Sequence, residues 1–314
     1  MATSRFAFVF PGQGSQAVGM LDAWGDHPAV QQTLGEASDA LGFDIAALIH
    51  AGPKDQLDLT THTQPAMLTA GIACYRAWIA EGGAEPALLA GHSLGEYSAL
   101  VAAGVLTLAD ALPLVRFRAA AMQEAVPVGV GAMAAILGLD APTVVAACAE
   151  VAAASGETVN AANFNDPRQT VIAGTQAGVQ QACELLKARG AKRALLLAVS
   201  APFHSALMRP AADRLHGRLA STVLAAPRIP LVNNVDVAVQ TDPQAIRDAL
   251  VRQAYGPVRW VESVQKMVAM GITTVVECGP GKVLTGLVKR IAPETASAAL
   301  FDPASLRDIK AMLA

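Results

Sequence analysis

The pentapeptide Gly91-His92-Ser93-Leu94-Gly95 has the G-x-S-x-G spacing of a nucleophile elbow. The small flanking residues permit a tight, strained turn that lifts the serine hydroxyl clear of the backbone. A strand is predicted before it, over 86–91, and a helix after it, over 94–103. The start of that helix would aim its free amides at the serine, where developing negative charge is favoured. An activated serine in that setting does acyl transfer through a covalent ester.

A serine nucleophile needs a base. The histidines are His27, His50, His62, His92, His204 and His216. His92 adjoins the serine, so its side chain should diverge from that of Ser93. His204 lies in Ala201-Pro202-Phe203-His204-Ser205, just after a predicted strand, where loops carry function. It is the best candidate. In an ordinary α/β hydrolase an acid and then a late histidine follow the nucleophile. Here His216 is the last histidine and lies far from the C-terminus. A Ser–His dyad, with the imidazole oriented by a carbonyl or an amide side chain, fits better than a triad.

Arg116 and Arg118 sit two apart in a helical run over 112–125, so they point to different sides. Either one faces solvent and the other enters a pocket as a bidentate carboxylate anchor, or both are solvated charges. Two other motifs fall short of the nucleotide-binding patterns they approach. Gly12-Gln13-Gly14-Ser15-Gln16-Ala17 fits a dinucleotide fingerprint, but the nearest acids, Glu36 and Asp39, fall in a helical stretch and not at a second strand's end. As a glycine-rich turn after a strand it still offers free backbone N–H groups, which suit an oxyanion hole. Gly279-Pro280-Gly281-Lys282 has Val283 where a phosphate loop needs Ser or Thr, and reads as a strand-to-helix turn.

Positioning these groups requires a scaffold. Short apolar strands at 6–10 and 86–91 alternate with helices over 30–41, 64–81, 94–103 and 108–125. That alternation argues a mostly parallel sheet covered on both faces. The rhythm then changes. A strand over 132–139 and a helix over 142–155 lead to strands at 158–162 and 170–173, joined by a loop rich in Asn, Asp and Pro. A helix over 177–189 and a strand over 193–199 follow. The order β-α-β-β-α-β is that of a ferredoxin-like unit. The expected fold is therefore α/β, with a mostly parallel sheet core from 1–125 and 199–314 and a ferredoxin-like insert at 126–198. Strands near 230–233 and 273–277 return the chain to the core.

Composition narrows the class. Against 23 Lys+Arg stand 26 Asp+Glu, a net charge of −3, so no basic excess exists to bind nucleic acid. Hydrophobic residues make up 53% and charged residues 16%, which excludes a disordered chain. The uncharged runs are short and broken by Pro and Gly, which argues against a membrane span. The apolar run 6–10 is too short for a signal-peptide core. Cys74, Cys148, Cys183 and Cys278 show no metal-ligand spacing, as expected of reduced, buried thiols in a cytoplasmic protein.

Taken together, Phe10-Pro-Gly-Gln-Gly-Ser-Gln16, Gly91-His-Ser-Leu-Gly-Glu-Tyr97, Met122-Gln-Glu-Ala-Val-Pro127, Pro202-Phe-His204, Gln253 with 257–260, and Glu277-Cys-Gly-Pro-Gly281 span most of the chain. In these motifs the sequence resembles the malonyl-CoA:acyl carrier protein transacylases of fatty acid synthesis. The resemblance implies Ser93 as acyl-carrying nucleophile, His204 as base, and Arg118 as the grip on the malonyl carboxylate. It implies Gln13 and Leu94 as backbone donors of the oxyanion hole, and Gln253 beside the histidine. It implies a hydrolase-like core with a ferredoxin-like insert, and malonyl-CoA and acyl carrier protein as substrates, with no metal or redox cofactor. A serine esterase or thioesterase shares the first half of this chemistry; the carboxylate anchor and the missing late histidine favour transfer. Lys187, Arg189, Lys192 and Arg193 cluster just before the strand leading to His204. Lys192 and Arg193 are the preferred docking pair for an acidic carrier.

Overall fold

The computed structural model describes residues 5–314. Its strands are β1 (Phe6–Phe10), β2 (Leu88–Gly91), β3 (Gly131–Leu137), β4 (Val159–Asp166), β5 (Gln169–Thr175), β6 (Arg193–Leu196), β7 (Leu231–Val232), β8 (Thr274–Cys278) and β9 (Ala296–Leu300). They form two sheets among the described residues. One is parallel with the order β7-β2-β1-β8-β9; the other is antiparallel with the order β4-β5-β3-β6.

β1 is buried along its whole length because helices cover both faces of its sheet. Phe6, Phe8 and Phe10 project into one apolar cluster, where Phe6 and Phe8 meet the Trp78 ring edge-on. Ala7 and Val9, on the other face, join Val232, Trp260, Val264 and Leu287. The period of two thus splits one five-residue strand between two cores. The parallel arrangement also aligns carboxyl ends. β1, β2 and β7 are neighbours, and the residues that follow them, Gln13, Ser93 and Asn234, arrive at the same edge.

The middle segment has the element order β-α-β-β-α-β and a core of its own. Its helices Ala141–Ser155 and Gln176–Ala188 pack Val144, Ala147, Val179 and Leu186 against Ile136 and Ile172. Both helices lie on one face. The other face carries Met133, Ala135, Val171 and Ala173, packed with Val199 and Phe203. That helix-free face roofs the functional cavity described below.

The expected loop of Asn and Asp residues is shorter than the sequence suggested. β4 continues to Asp166, and only a tight turn at Pro167-Arg168 links it to β5. The polar residues there have backbone or side-chain partners that local propensity does not reveal. Asn163 bridges to Val258, and backbone bonds join Phe164 N–H to Val258 O and Val258 N–H to Ala162 O at 2.9 and 2.8 Å. Asp166, 7% exposed, pairs with Arg290 at 2.6 Å. These contacts fasten the antiparallel sheet to the parallel core. β9, at the sheet edge, was not anticipated from sequence.

Candidate active site

The elbow forms as its spacing suggested. A Cβ on Gly91 would fall 1.9 Å from the Gly95 carbonyl carbon, and one on Gly95 would fall 2.0 Å from Phe10 O. The strand, the turn and the helix Gly95–Ala102 therefore close on each other only with glycine at both positions. Ser93 between them has φ +52°, and His204 has φ +60°. Each is a non-glycine residue in the left-handed region, a strain of about 1–3 kcal/mol apiece that surrounding contacts must offset.

Ser93 Oγ lies 2.7 Å from His204 Nε2. The other ring nitrogen, Nδ1, faces the Gln253 and Gly256 carbonyls at 2.9 and 3.2 Å. Carbonyls only accept, so Nδ1 carries the proton and Nε2 presents a lone pair to the serine hydroxyl. The dyad thus has its base in the required tautomer without a carboxylate. Burial, followed by the nearby Arg118 charge, holds the imidazole pKa down to about 3, so the ring is neutral near pH 7.

Arg118, on the helix Leu108–Glu124, is 1% exposed, whereas Arg116 faces solvent and stacks on Phe43. The Arg118 guanidinium donates to Gln64 Oε1 at 2.8 Å, Gln253 Oε1 at 3.0 Å and Ser93 Oγ at 3.3 Å. Its Nε–H has no partner among the described residues, and no carboxylate there lies within ion-pair distance of it. Burial lowers its pKa, against the opposing influence of Tyr97 and Glu96. A buried cation held only by neutral acceptors, beside a nucleophile, is suited to receive an anionic group.

Gln13 and Leu94 line the same cavity as Ser93, Arg118 and His204, with a volume of about 570 Å³. Neither backbone N–H donates to an acceptor among the described residues, so both are free for a substrate oxygen. Leu94 stands at the N-terminus of the helix after the elbow, where the dipole adds to the effect. Apolar walls come from Met122, Met133, Val171, Val199 and Phe203. The arrangement suits attack on an acyl carbonyl by Ser93, with the acyl group carrying a carboxylate.

Comparison with known proteins agrees with this geometry. The acyl transferase domain model matches residues 7–308. The chain belongs to the acyl transferase domain family. A relative from Escherichia coli (strain K12), named malonyl CoA-acyl carrier protein transacylase, is 56% identical, covering 96% of this chain and 98% of its own. The crystal structure of an acyl-carrier-protein S-malonyltransferase from Burkholderia pseudomallei 1710b is 64% identical with a TM-score of 0.96, covering 98% of this chain and 99% of that one. A malonyl-transacylase solved with a type II PKS acyl-carrier protein is 52% identical with a TM-score of 0.96, covering 98% and 100%.

The six residues singled out from sequence, Gln13, Ser93, Leu94, Arg118, His204 and Gln253, meet around one point. Gln253 does so from below: it is fully buried, its carbonyl holds His204, and its side chain bonds Arg118, Ser93 O and Glu96. The remaining histidines are elsewhere engaged. His92 turns to Asn165 at 2.8 Å; His27 and His50 meet Glu81 and Asp22; His62 meets the Gln56 carbonyl at 2.9 Å; His216 is exposed. Three neighbours of the dyad escaped sequence reasoning: Gln64, Glu96 and Asn234. Glu96 stands inside the elbow motif, yet a helix-start Glu reads as an ordinary exposed charge. Gln64 and Asn234 have no local signature at all.

Proposed function

We propose that this protein transfers the malonyl group of malonyl-CoA to the phosphopantetheine thiol of acyl carrier protein, supplying fatty acid synthesis through an ester on Ser93. The observation that carries the reading is Arg118, a buried guanidinium without a carboxylate partner, 3.3 Å from Ser93 Oγ. A neutral acyl group would leave it uncompensated; the malonyl carboxylate would complete it. The names and coverage of the relatives support the same substrates.

His204 Nε2 takes the Ser93 proton as Oγ bonds to the thioester carbonyl carbon. The carbonyl electrons move to oxygen, held by the Gln13 and Leu94 N–H groups, each worth about 3 kcal/mol by comparison with a deleted oxyanion donor. Collapse breaks the C–S bond, and coenzyme A leaves as thiol with the proton from His204. The carrier thiol then gives its proton to His204 and attacks the serine ester in reverse. Protein groups close every step, so no cofactor enters the scheme; the coenzyme A thioester is a substrate.

Three further assignments belong to this reading. Residues 1–125, of which 1–4 lie outside the described residues, and 199–314 form a hydrolase-like core, and 126–198 a ferredoxin-like insert, whose sheet order and helix-free face over the cavity support it. Acyl carrier protein docks near Lys192 and Arg193, which are exposed at the start of edge strand β6; the residues just beyond that strand, Leu197 to Val199, line the cavity. The four cysteines are free and buried, which supports a reducing, cytoplasmic setting. Peptide mapping after mixing with malonyl-CoA tests the core of the proposal. The label should sit on Ser93 and vanish in Ser93→Ala; a label elsewhere, or one surviving that substitution, overturns it.

A further inference from the structure

One side chain grips the backbone that leads into the nucleophile. Asn234 Oδ1 accepts the Ser93 N–H at 2.7 Å, and Asn234 Nδ2 donates to Gly91 O at 2.6 Å. The Asn234 N–H in turn donates to Glu96 Oε2 at 2.9 Å. The same carboxylate oxygen accepts from Gln253 Nε2 at 2.9 Å, and Gln253 Nε2 also reaches Ser93 O at 3.0 Å. Asn234 and Gln253 are fully buried and Glu96 is 2% exposed. None of the three lines the cavity.

We propose that Asn234, oriented by Glu96, is a positioning residue that clamps the elbow and thereby fixes where Ser93 Oγ and the Leu94 N–H stand. The inference rests on the reading of Ser93 as acyl carrier. Its logic is one of donors and acceptors. Gly91 O needs a donor and Ser93 N–H needs an acceptor, a short distance apart, and an amide side chain supplies both. Asp would set a carboxylate oxygen against the Gly91 carbonyl; Ala would leave both groups unmet. Without the clamp, nothing else holds the Ser93 N–H, and the turn at φ +52° is free to relax towards ordinary backbone angles. The Ser93 N–H would then compete for the oxyanion, and Oγ would leave its line to His204.

Glu96 acts through its oxygen as a double acceptor, not through its charge. Gln at that position retains one oxygen with two lone pairs, enough for both the Asn234 and Gln253 donors. Ala retains nothing. Glu96→Gln should therefore behave much like the wild type, while Glu96→Ala should resemble Asn234→Ala.

The test compares the single-turnover rate of Ser93 acylation by malonyl-CoA with the affinity for free coenzyme A measured calorimetrically. Asn234→Ala and Asn234→Asp should each acylate about 100-fold more slowly, as for an ångström-scale misplacement, with coenzyme A affinity unchanged. Acylation at the wild-type rate, or a loss of rate matched by a loss of coenzyme A binding, overturns the proposal. Should the Asn234 variants not fold, the Glu96 pair decides. Glu96→Gln near wild type with Glu96→Ala slow supports the clamp; equal damage in both overturns it. If the wild-type protein takes no label on Ser93, the functional reading itself falls; if it does and the variants match it, only the clamp falls.

Discussion

Arg118 and His204 converge on one atom: Ser93 Oγ lies 3.3 Å from Arg118 Nη2 and 2.7 Å from His204 Nε2. The group that selects the acyl chain and the group that moves the proton thus share the nucleophile. The guanidinium also depresses the imidazole pKa.

Removing the guanidinium should discriminate between acyl groups. Leaving a buried carboxylate without its partner costs about 3 kcal/mol or more. Arg118→Ala should lose malonyl transfer by roughly 100-fold or more relative to acetyl transfer. Arg118→Lys should recover only part, because an ammonium cannot form the planar fork. Parallel rates for malonyl-CoA and acetyl-CoA would measure it; an equal fall in both would exclude Arg118 as the carboxylate anchor.

The same pair fixes a pH dependence. With its pKa near 3, His204 stays neutral down to strongly acidic pH, so it contributes no acid limb to acylation near pH 6. Arg118→Ala removes a depressing charge, and the acid limb should move to higher pH. Stability follows the same imbalance. Between about pH 3 and the ordinary histidine value, the unfolded chain binds a proton that the folded chain refuses. Stability therefore rises with pH across that window and is lost as pH falls through it. Glu96, pushed up to about 7 by burial, works the other way above the ordinary carboxylate range, since the folded chain then holds the extra proton. Comparing wild type with His204→Asn in denaturant titrations isolates the histidine. The variant should lose less stability on acidification, by up to about 1.4 kcal/mol per pH unit.

Charge reversal at Lys192 and Arg193 should act on one half-reaction. Both are exposed, whereas neighbouring Arg189 is already paired with Glu150. Replacing both with Glu should raise the KM for acyl carrier protein and weaken its salt dependence. Acylation by malonyl-CoA should stay as it was. An unchanged carrier KM would move docking elsewhere, with Lys282, Lys289 and Arg290 the next to examine.

The hairpin pin should matter for stability. Asp166 is 7% exposed and holds Arg290 and the Arg168 N–H. Arg290→Ala leaves that carboxylate short of a partner, at about 1–3 kcal/mol. A fall of several degrees in Tm is expected, read by calorimetry, and an unchanged Tm would show that the pair is idle.

Most of this site was legible in the sequence because its chemistry is local. Gly91 to Gly95 encode a turn by steric necessity, and the strand and helix around them follow from short-range patterns. His204 was found because a histidine in a loop just after a strand suits a base, whereas only the family resemblance separated Arg118 from Arg116. Asn234 and Gln64 were not, because their side-chain partners, Gly91 and Ser93 for one and Arg118 for the other, lie far away in sequence. Residues 163–166 misled for a related reason. Asn and Asp ordinarily favour turns, but here the Val258 bridge and Arg290 keep them in strand. β9 carries Ala and Ser where strands favour branched residues, so only its pairing with β8 reveals it.

Isolated malonyl-enzyme mixed with holo acyl carrier protein gives the most direct test of transfer through Ser93. Intact masses of both proteins, followed with and without the carrier, read the fate of the acyl group. Malonyl should leave Ser93 and reappear on the carrier phosphopantetheine, and should persist on the enzyme when carrier is absent. Release as free malonate at the same rate in both mixtures would mean that water is the acceptor, and the protein a hydrolase.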